Sequence, residues 1–189
     1  MHRELAERDG TDPRPLLGEP LPLDLLNTHW IEGGQLQDLL STRAGVSIWL
    51  RSAAIIERGS VPVDESLAQA LRATRSTIDA IARDPDDDEA RSAFNVVLAR
   101  GHRQATLGPA GPTMTVVVDD PAWMVPWQAA EGYLTLLREG RDRIRQCRHP
   151  QCVLWFFDTS RSGQRRWCSM SICGNRIKAE RHASRRRSG

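Results

Sequence analysis

The chain of 189 residues contains no apolar run approaching the roughly eighteen residues that a membrane-crossing helix requires. Its opening, MHRELAERDG, is too charged to be the apolar core of a signal peptide. No HExxH, no Gly-x-Ser-x-Gly and no glycine-rich nucleotide loop occurs, so the commonest hydrolytic and nucleotide chemistries lack their residues. Internal repeats are absent, and low complexity is confined to the arginine-rich end. These absences predict a cytoplasmic protein with no membrane partner and no enzymatic activity. The hydrophobic fraction of 40% is enough for a core and argues against global disorder.

Cysteine is scarce and unevenly placed. The four thiols, Cys147, Cys152, Cys168 and Cys173, form two Cys-x4-Cys pairs separated by fifteen residues. Clustering of this kind in an intracellular protein favours metal over disulfides. Four thiolates on a tetrahedral ion make a closed structural Zn2+ site, one per chain, with no position left for a catalytic water. Two disulfides or four free thiols are the alternatives, and His149 or His182 could replace one ligand. The intervening VLWFFDTSRSGQRRW reads as a β-hairpin turning at RSG, and Gly174 as the residue that permits a tight turn at the metal. So small a module folds largely on metal-binding free energy. Removing one thiol is then expected to unfold the module and leave the rest standing.

Upstream, the pattern is mainly helical. Residues 1–18 read as a flexible lead-in, broken by Pro13, Pro15 and Gly18. LPLDLLNTHWI is a strand or a short helix, and DLLSTRAGVSIWLRSAAII is a helix that Gly45 interrupts. Pro62 is a break. Asp64 caps a helix with Leu67, Leu71, Ile78 and Ile81 on one stripe. A helix over 87–100 carries Phe94, Val97 and Leu98 inward, and its acidic start suits the helix dipole. Around GPAGP a hairpin is expected, then a helix through PAWMVPWQAAEGYLTLL.

The net charge of +2 hides a division. From Arg141 onward there are thirteen Lys and Arg against three acids, so that part carries +10 and the part before it −8. A basic end of this kind points to a polyanion. Candidate nucleic-acid contacts are Arg161, Arg165 and Arg166 between the cysteine pairs. Arg176, Lys178, Arg181, Arg185, Arg186 and Arg187 follow on a helix after Cys173. The alternatives are a solvated basic face, a salt bridge from Arg166 to Asp158, and Arg176 packed on the metal loop. Trp155 and Trp167 read as the core of the module. In the acidic part, Asp24, Asn27, Thr28 and Trp49 are candidates for an effector pocket. Asp24 and Asn27 would equally serve as caps or satisfy buried backbone.

The stretch WFFDTSRSGQRRWCSMSICGNRIKAERHASRRR with its preceding Cys-x4-Cys resembles the CGNR zinc finger, named for Cys173, Gly174, Asn175 and Arg176. The upstream GEPLPLDLLNTHW and DLLSTRAGVSIWL resemble the opening of the ABATE domain, which accompanies that finger in stress-induced bacterial transcription regulators. The resemblance implies zinc, DNA as a partner, transcription regulation and a link to stress response. The expected architecture is a mainly α protein with a small β-hairpin. A helical domain over 19–140 is joined to a treble-clef or ribbon-like zinc finger with a basic C-terminal helix over 141–189. The helical domain is left with effector sensing or homodimer formation. The rival reading is a protein-interaction module whose zinc finger is purely structural. A thiol redox switch is compatible with either.

Overall fold

The computed structural model describes residues 11–55 and 63–178. Short polar signals start three of the long helices. The Thr42 hydroxyl accepts from Gly45 N at 3.1 Å and opens α2 (Arg43–Ser52). Asp64 accepts from Leu67 N at 3.0 Å and opens α3 (Glu65–Arg83). Asp87 accepts from Glu89 N and Ala90 N and opens α4 (Asp88–Leu98). Each cap satisfies donors that the first helical turn leaves orphaned. The expected stripe on α3 is buried at Leu67, Leu71, Ile78 and Ile81. On α4, Phe94 and Val97 point inward, with Leu98 packed at the margin.

The segment left undecided between strand and helix resolves into both. Leu21–Leu26 forms α1, and His29–Glu32 forms β1, antiparallel to β2 (Gln35–Asp38). Gly33 and Gly34, both at positive φ, close this hairpin, a conformation open mainly to glycine. Gly45 does not interrupt α2; it lets the helix start pass the Leu39 carbonyl, which a Cβ would strike. The second hairpin, β3 (Gly101–Gly108) with β4 (Gly111–Val118), projects before α5 (Met124–Gly140). Pro62 lies outside the described residues.

Around α1 the helices build one core, in which Trp30, Trp49, Leu23, Leu25, Leu71 and Ile78 are fully buried. Arg75 on α3 grips Asp38 with both terminal nitrogens, at 2.6 and 2.8 Å, and donates to Thr28. That pair ties the first hairpin to the longest helix. Burial works against the Asp38 carboxylate, yet the hydrogen bonds from Arg75 and His29 hold it well below the ordinary carboxylate range.

Two expectations change here. Residues 12–18 have no regular structure but are docked rather than frayed. Arg14 is buried and bonds Asp12, the Asp24 carboxylate and the Asp24 carbonyl, while Leu16 joins the core. Residues 1–10 lie outside the described residues. The second change is at β6 (Trp155–Phe157), which pairs with β5 (Ile144–Gln146) upstream of the first cysteine pair, not with the strand expected after RSG. Residues 158–167 are instead a chain of turns around Asp158. The Asp158 side chain accepts from Ser160 N at 2.9 Å and Arg165 N at 2.8 Å. A wholly buried carboxylate there gives those amides a partner within the loop, so no cross-strand ladder is needed.

The β5–β6 pair sits directly on the helical core. Asn27, wholly buried at the end of α1, clasps the Trp155 backbone. Its amide donates to the Trp155 carbonyl at 2.9 Å and its carbonyl accepts from Trp155 N at 2.8 Å. Glu19 accepts from Phe157 N at 2.9 Å. Arg83 lies over the Trp155 ring, 5.8 Å from its centroid. Asn27→Ala leaves two buried backbone groups without partners. It is expected to cost about 2–4 kcal/mol, a Tm fall of roughly 5–15 °C. Differential scanning calorimetry checks this, and a fall under about 1 °C would show that the clasp carries little.

Candidate metal centre

Cys147 follows β5 and Cys152 ends the turn after it. Cys147 N donates to Leu154 O at 2.8 Å and Cys152 N to His149 O at 3.0 Å, which folds the first Cys-x4-Cys back on itself. The second pair closes around Ser169. Its hydroxyl accepts from Ile172 N, and its carbonyl accepts from both Cys173 N and Gly174 N. Met170–Gly174 forms one wide π-type turn, and residues 175–178 begin a helix. Gly174 does not have positive φ; a Cβ there would instead press on the Met170 thioether. Its part at the metal turn is close approach. Arg148 N donates to Arg166 O at 3.0 Å and ties the two knuckles together.

These turns bring the four sulfurs within 4.8 Å of one another. Cys152 Sγ and Cys168 Sγ are 3.9 Å apart. A tetrahedral Zn–S bond near ~2.3 Å requires sulfurs about 3.8 Å apart, whereas a disulfide needs ~2.05 Å. None of the four cysteines is in a disulfide, and Cys147, Cys168 and Cys173 are buried. Hydrogen bonds from Cys152 and Cys168 push Cys147 far below its ordinary value, and Cys147 in turn pushes Cys152 and Cys168 up. Burial raises Cys173. Four thiolates in so small a space need a divalent cation among them. The donor set therefore fits one structural zinc ion. His149 is not in the cluster: its Nδ1 accepts from Gln151 N at 3.1 Å. His182 lies outside the described residues.

The expected basic contacts divide. Arg161, Arg166, Arg176 and Lys178 are exposed, and none has an ion-pair partner among the described residues. Arg166 reaches over the Trp167 ring, 5.6 Å from its centroid, rather than toward Asp158. Arg145, 3.8 Å from Asp158, takes the place expected for it. Arg165 turns inward. Its guanidinium donates to the Trp167 and Cys168 carbonyls and stacks 4.3 Å over Phe156, with Glu19 at 3.8 Å. The chain binds this arginine to itself, so it braces the metal loop from below. Arg181, Arg185, Arg186 and Arg187 lie outside the described residues.

The proposed effector set does not line an opening. Asp24 is buried between Arg14, at 2.8 Å, and Trp49 Nε1, at 2.9 Å. Asn27 holds Trp155, and the Thr28 hydroxyl donates to Leu25 O while accepting from Arg75. Each polar side chain in this set is bound by the fold through at least one hydrogen bond. Two clefts open elsewhere, one between α1, α5 and the β3–β4 hairpin, the other where α3, α5 and β5 meet. Glu19 and Arg143 were missed from sequence, whereas Asn27 satisfies buried backbone, one of the two readings offered for it. Arg143 donates to the Asp158 and Ser160 carbonyls. All three bind backbone groups, which leave no residue pattern to read.

A helical domain carrying a tetrathiolate finger is the class that this fold and site define. The CGNR zinc finger family matches residues 143–186. The chain belongs to the ABATE family, described as "Putative stress-induced transcription regulator", which matches residues 19–145. The two matches meet in β5. No curated protein matches the chain. Among the described residues, no helix is long and apolar enough to cross a membrane.

Cys147, Cys168, Leu154, Trp155 and Phe156 belong to the same continuous core as Leu23, Trp49 and Tyr133. Loss of metal is therefore expected to weaken the helical domain as well, contrary to the expectation of an independent module. Chelation, or Cys173→Ser, should lower one shared unfolding midpoint, read together by helical circular dichroism and tryptophan fluorescence. A helical transition that stays in place while the fluorescence transition moves would contradict the shared core.

Proposed function

We propose that the chain is a cytoplasmic DNA-binding transcription regulator and not an enzyme. The observation that carries this reading is the exposed set Arg161, Arg166, Arg176 and Lys178, without ion-pair partners among the described residues, on a finger whose geometry the metal holds. Cations left without internal partners are available to phosphates, and fixed spacing lowers the entropy lost on docking. Arg181, Arg185, Arg186 and Arg187 extend the same run in sequence. The family description adds support for transcription control under stress. A four-thiolate ion has no open coordination position, which supports a structural rather than catalytic metal.

Contact with about six phosphates gives a slope of log K against log salt near −5 on duplex DNA. The triple change Arg161→Gln, Arg166→Gln, Arg176→Gln should reduce that slope by about three units. Fluorescence anisotropy across a salt series measures both. A slope near zero, or one unchanged in the triple variant, would refute the interface and favour a protein partner.

For the helical domain we infer two duties, sensing an effector and pairing two copies. Pairing is supported by the β3–β4 hairpin. One of its faces carries Ala105, Leu107, Pro112 and Met114 in register, with Leu107 84% and Met114 57% exposed. A second copy covering that face would bring two fingers to one duplex and raise affinity through effective concentration. Leu107→Asp with Met114→Asp should convert a dimer to a monomer in analytical ultracentrifugation without lowering Tm. A monomeric parent chain at 100-fold excess over the DNA-binding concentration would argue against pairing.

A further inference from the structure

The cleft where α3, α5 and β5 meet has a volume of about 430 Å³ and is lined by Ala82, Pro85, Tyr133, Arg141, Asp142 and Ile144. Its walls belong to different parts of the chain. Ala82 is on α3, Tyr133 on α5 and Ile144 on β5, the strand that leads into Cys147. Ile144 faces Phe157 across the β5–β6 pair. An occupant of this cleft therefore touches the helical domain and the root of the finger at once.

Tyr133 is the feature that the fold leaves unexplained. It is the chain's single tyrosine and only 2% exposed. Its ring is anchored edge-on to Phe94, with centroids 5.7 Å apart. Yet its hydroxyl makes no hydrogen bond with any described residue, although the residue lines the cleft. The ring is packed away while the hydroxyl is not sealed from solvent, so it opens on the cleft and is free to donate to an occupant. Burial pushes this phenol up to about 12, with Arg141 acting in the opposite direction, so it is a protonated donor at neutral pH. Arg141 sits at the mouth. Its only ion pair among the described residues is with Asp86 at 3.5 Å, between side chains 57% and 93% exposed. A pair so exposed is weak, and the guanidinium is available to a ligand.

We propose that this cleft binds a small organic carboxylate with an apolar body. The carboxylate accepts from the Tyr133 hydroxyl and pairs with Arg141, and the apolar body lies on Ala82, Pro85 and Ile144. Asp142 shares the rim and turns the charged end toward Arg141; it also disfavours a second carboxylate on the same ligand. The chemistry is that of a site with apolar walls and two convergent polar groups. The ligand's effect on DNA affinity rests on the regulator reading above, whereas its binding does not.

The single tyrosine makes the test specific. Full-length zinc-loaded protein carrying 3-fluorotyrosine gives one 19F resonance, and benzoate is the probe. The resonance is expected to shift saturably with Kd on the order of 1 mM. Arg141→Gln should weaken that affinity roughly tenfold. At ten times its Kd, benzoate should raise Tm by about 3–6 °C. Tyr133→Phe should leave the Tm of the ligand-free protein within about 1 °C and remove the benzoate-induced rise. A resonance that stays put to about 20 mM benzoate would overturn the site. So would an affinity indifferent to Arg141→Gln, or a large Tm loss in Tyr133→Phe without ligand. Benzoate binding that leaves DNA affinity unchanged would keep the site and defeat only its regulatory role.

Discussion

Four sulfurs gathered within 4.8 Å are the constraint on which the rest depends. As thiols they crowd one another, and as thiolates they repel; a divalent ion at their centre turns both costs into attraction. Parts of the segment that carries them have no regular structure. Residues 158–167 have no ladder and are organised by one buried carboxylate, Asp158. The second knuckle is one wide turn around Ser169. With the ion in place, the exposed arginines acquire fixed positions relative to one another, and a charge run becomes a surface.

That surface is not a bead on a string. Asn27 reaches across 128 positions of sequence to bond both backbone groups of Trp155. Glu19 does the same for Phe157 N, and burial raises its carboxyl while that hydrogen bond opposes the shift. The acidic helical part and the basic finger, −8 and +10 in formal charge, therefore share one core and one boundary strand. A perturbation at α3 or α5 has a short path to the metal loop through β5. The two-part charge pattern separates duties along a chain that folds as a continuous body.

What could be read beforehand was whatever relies on side-chain type and local spacing. The cysteine spacing, the CGNR run, the Asp64 cap and the Leu67–Leu71–Ile78–Ile81 stripe each have a period or a chemistry of their own. What escaped relies on side chains meeting backbone. The backbone-satisfying reading of Asn27 is the one the fold uses, but nothing in the sequence names Trp155 as the backbone it meets. Arg165 and Arg166 are neighbours of identical type, yet one is bound to carbonyls inside the loop and the other faces solvent. No pattern separates them. The strand partner of Trp155–Phe157 was misplaced because Ile144–Gln146 is three residues long and carries no alternation strong enough to mark it. The Gly33–Gly34 turn carries a legible local signal of its own, since paired glycines between strand-forming residues mark a hairpin.

The central claim is the ion itself, held by four sulfurs and nothing else. X-ray absorption at the zinc edge of the purified protein tests it most directly. The account predicts one zinc per chain and a single shell of four sulfurs at ~2.3 Å. A shell containing nitrogen or oxygen near ~2.0 Å would contradict it, and so would protein that folds fully with no metal bound.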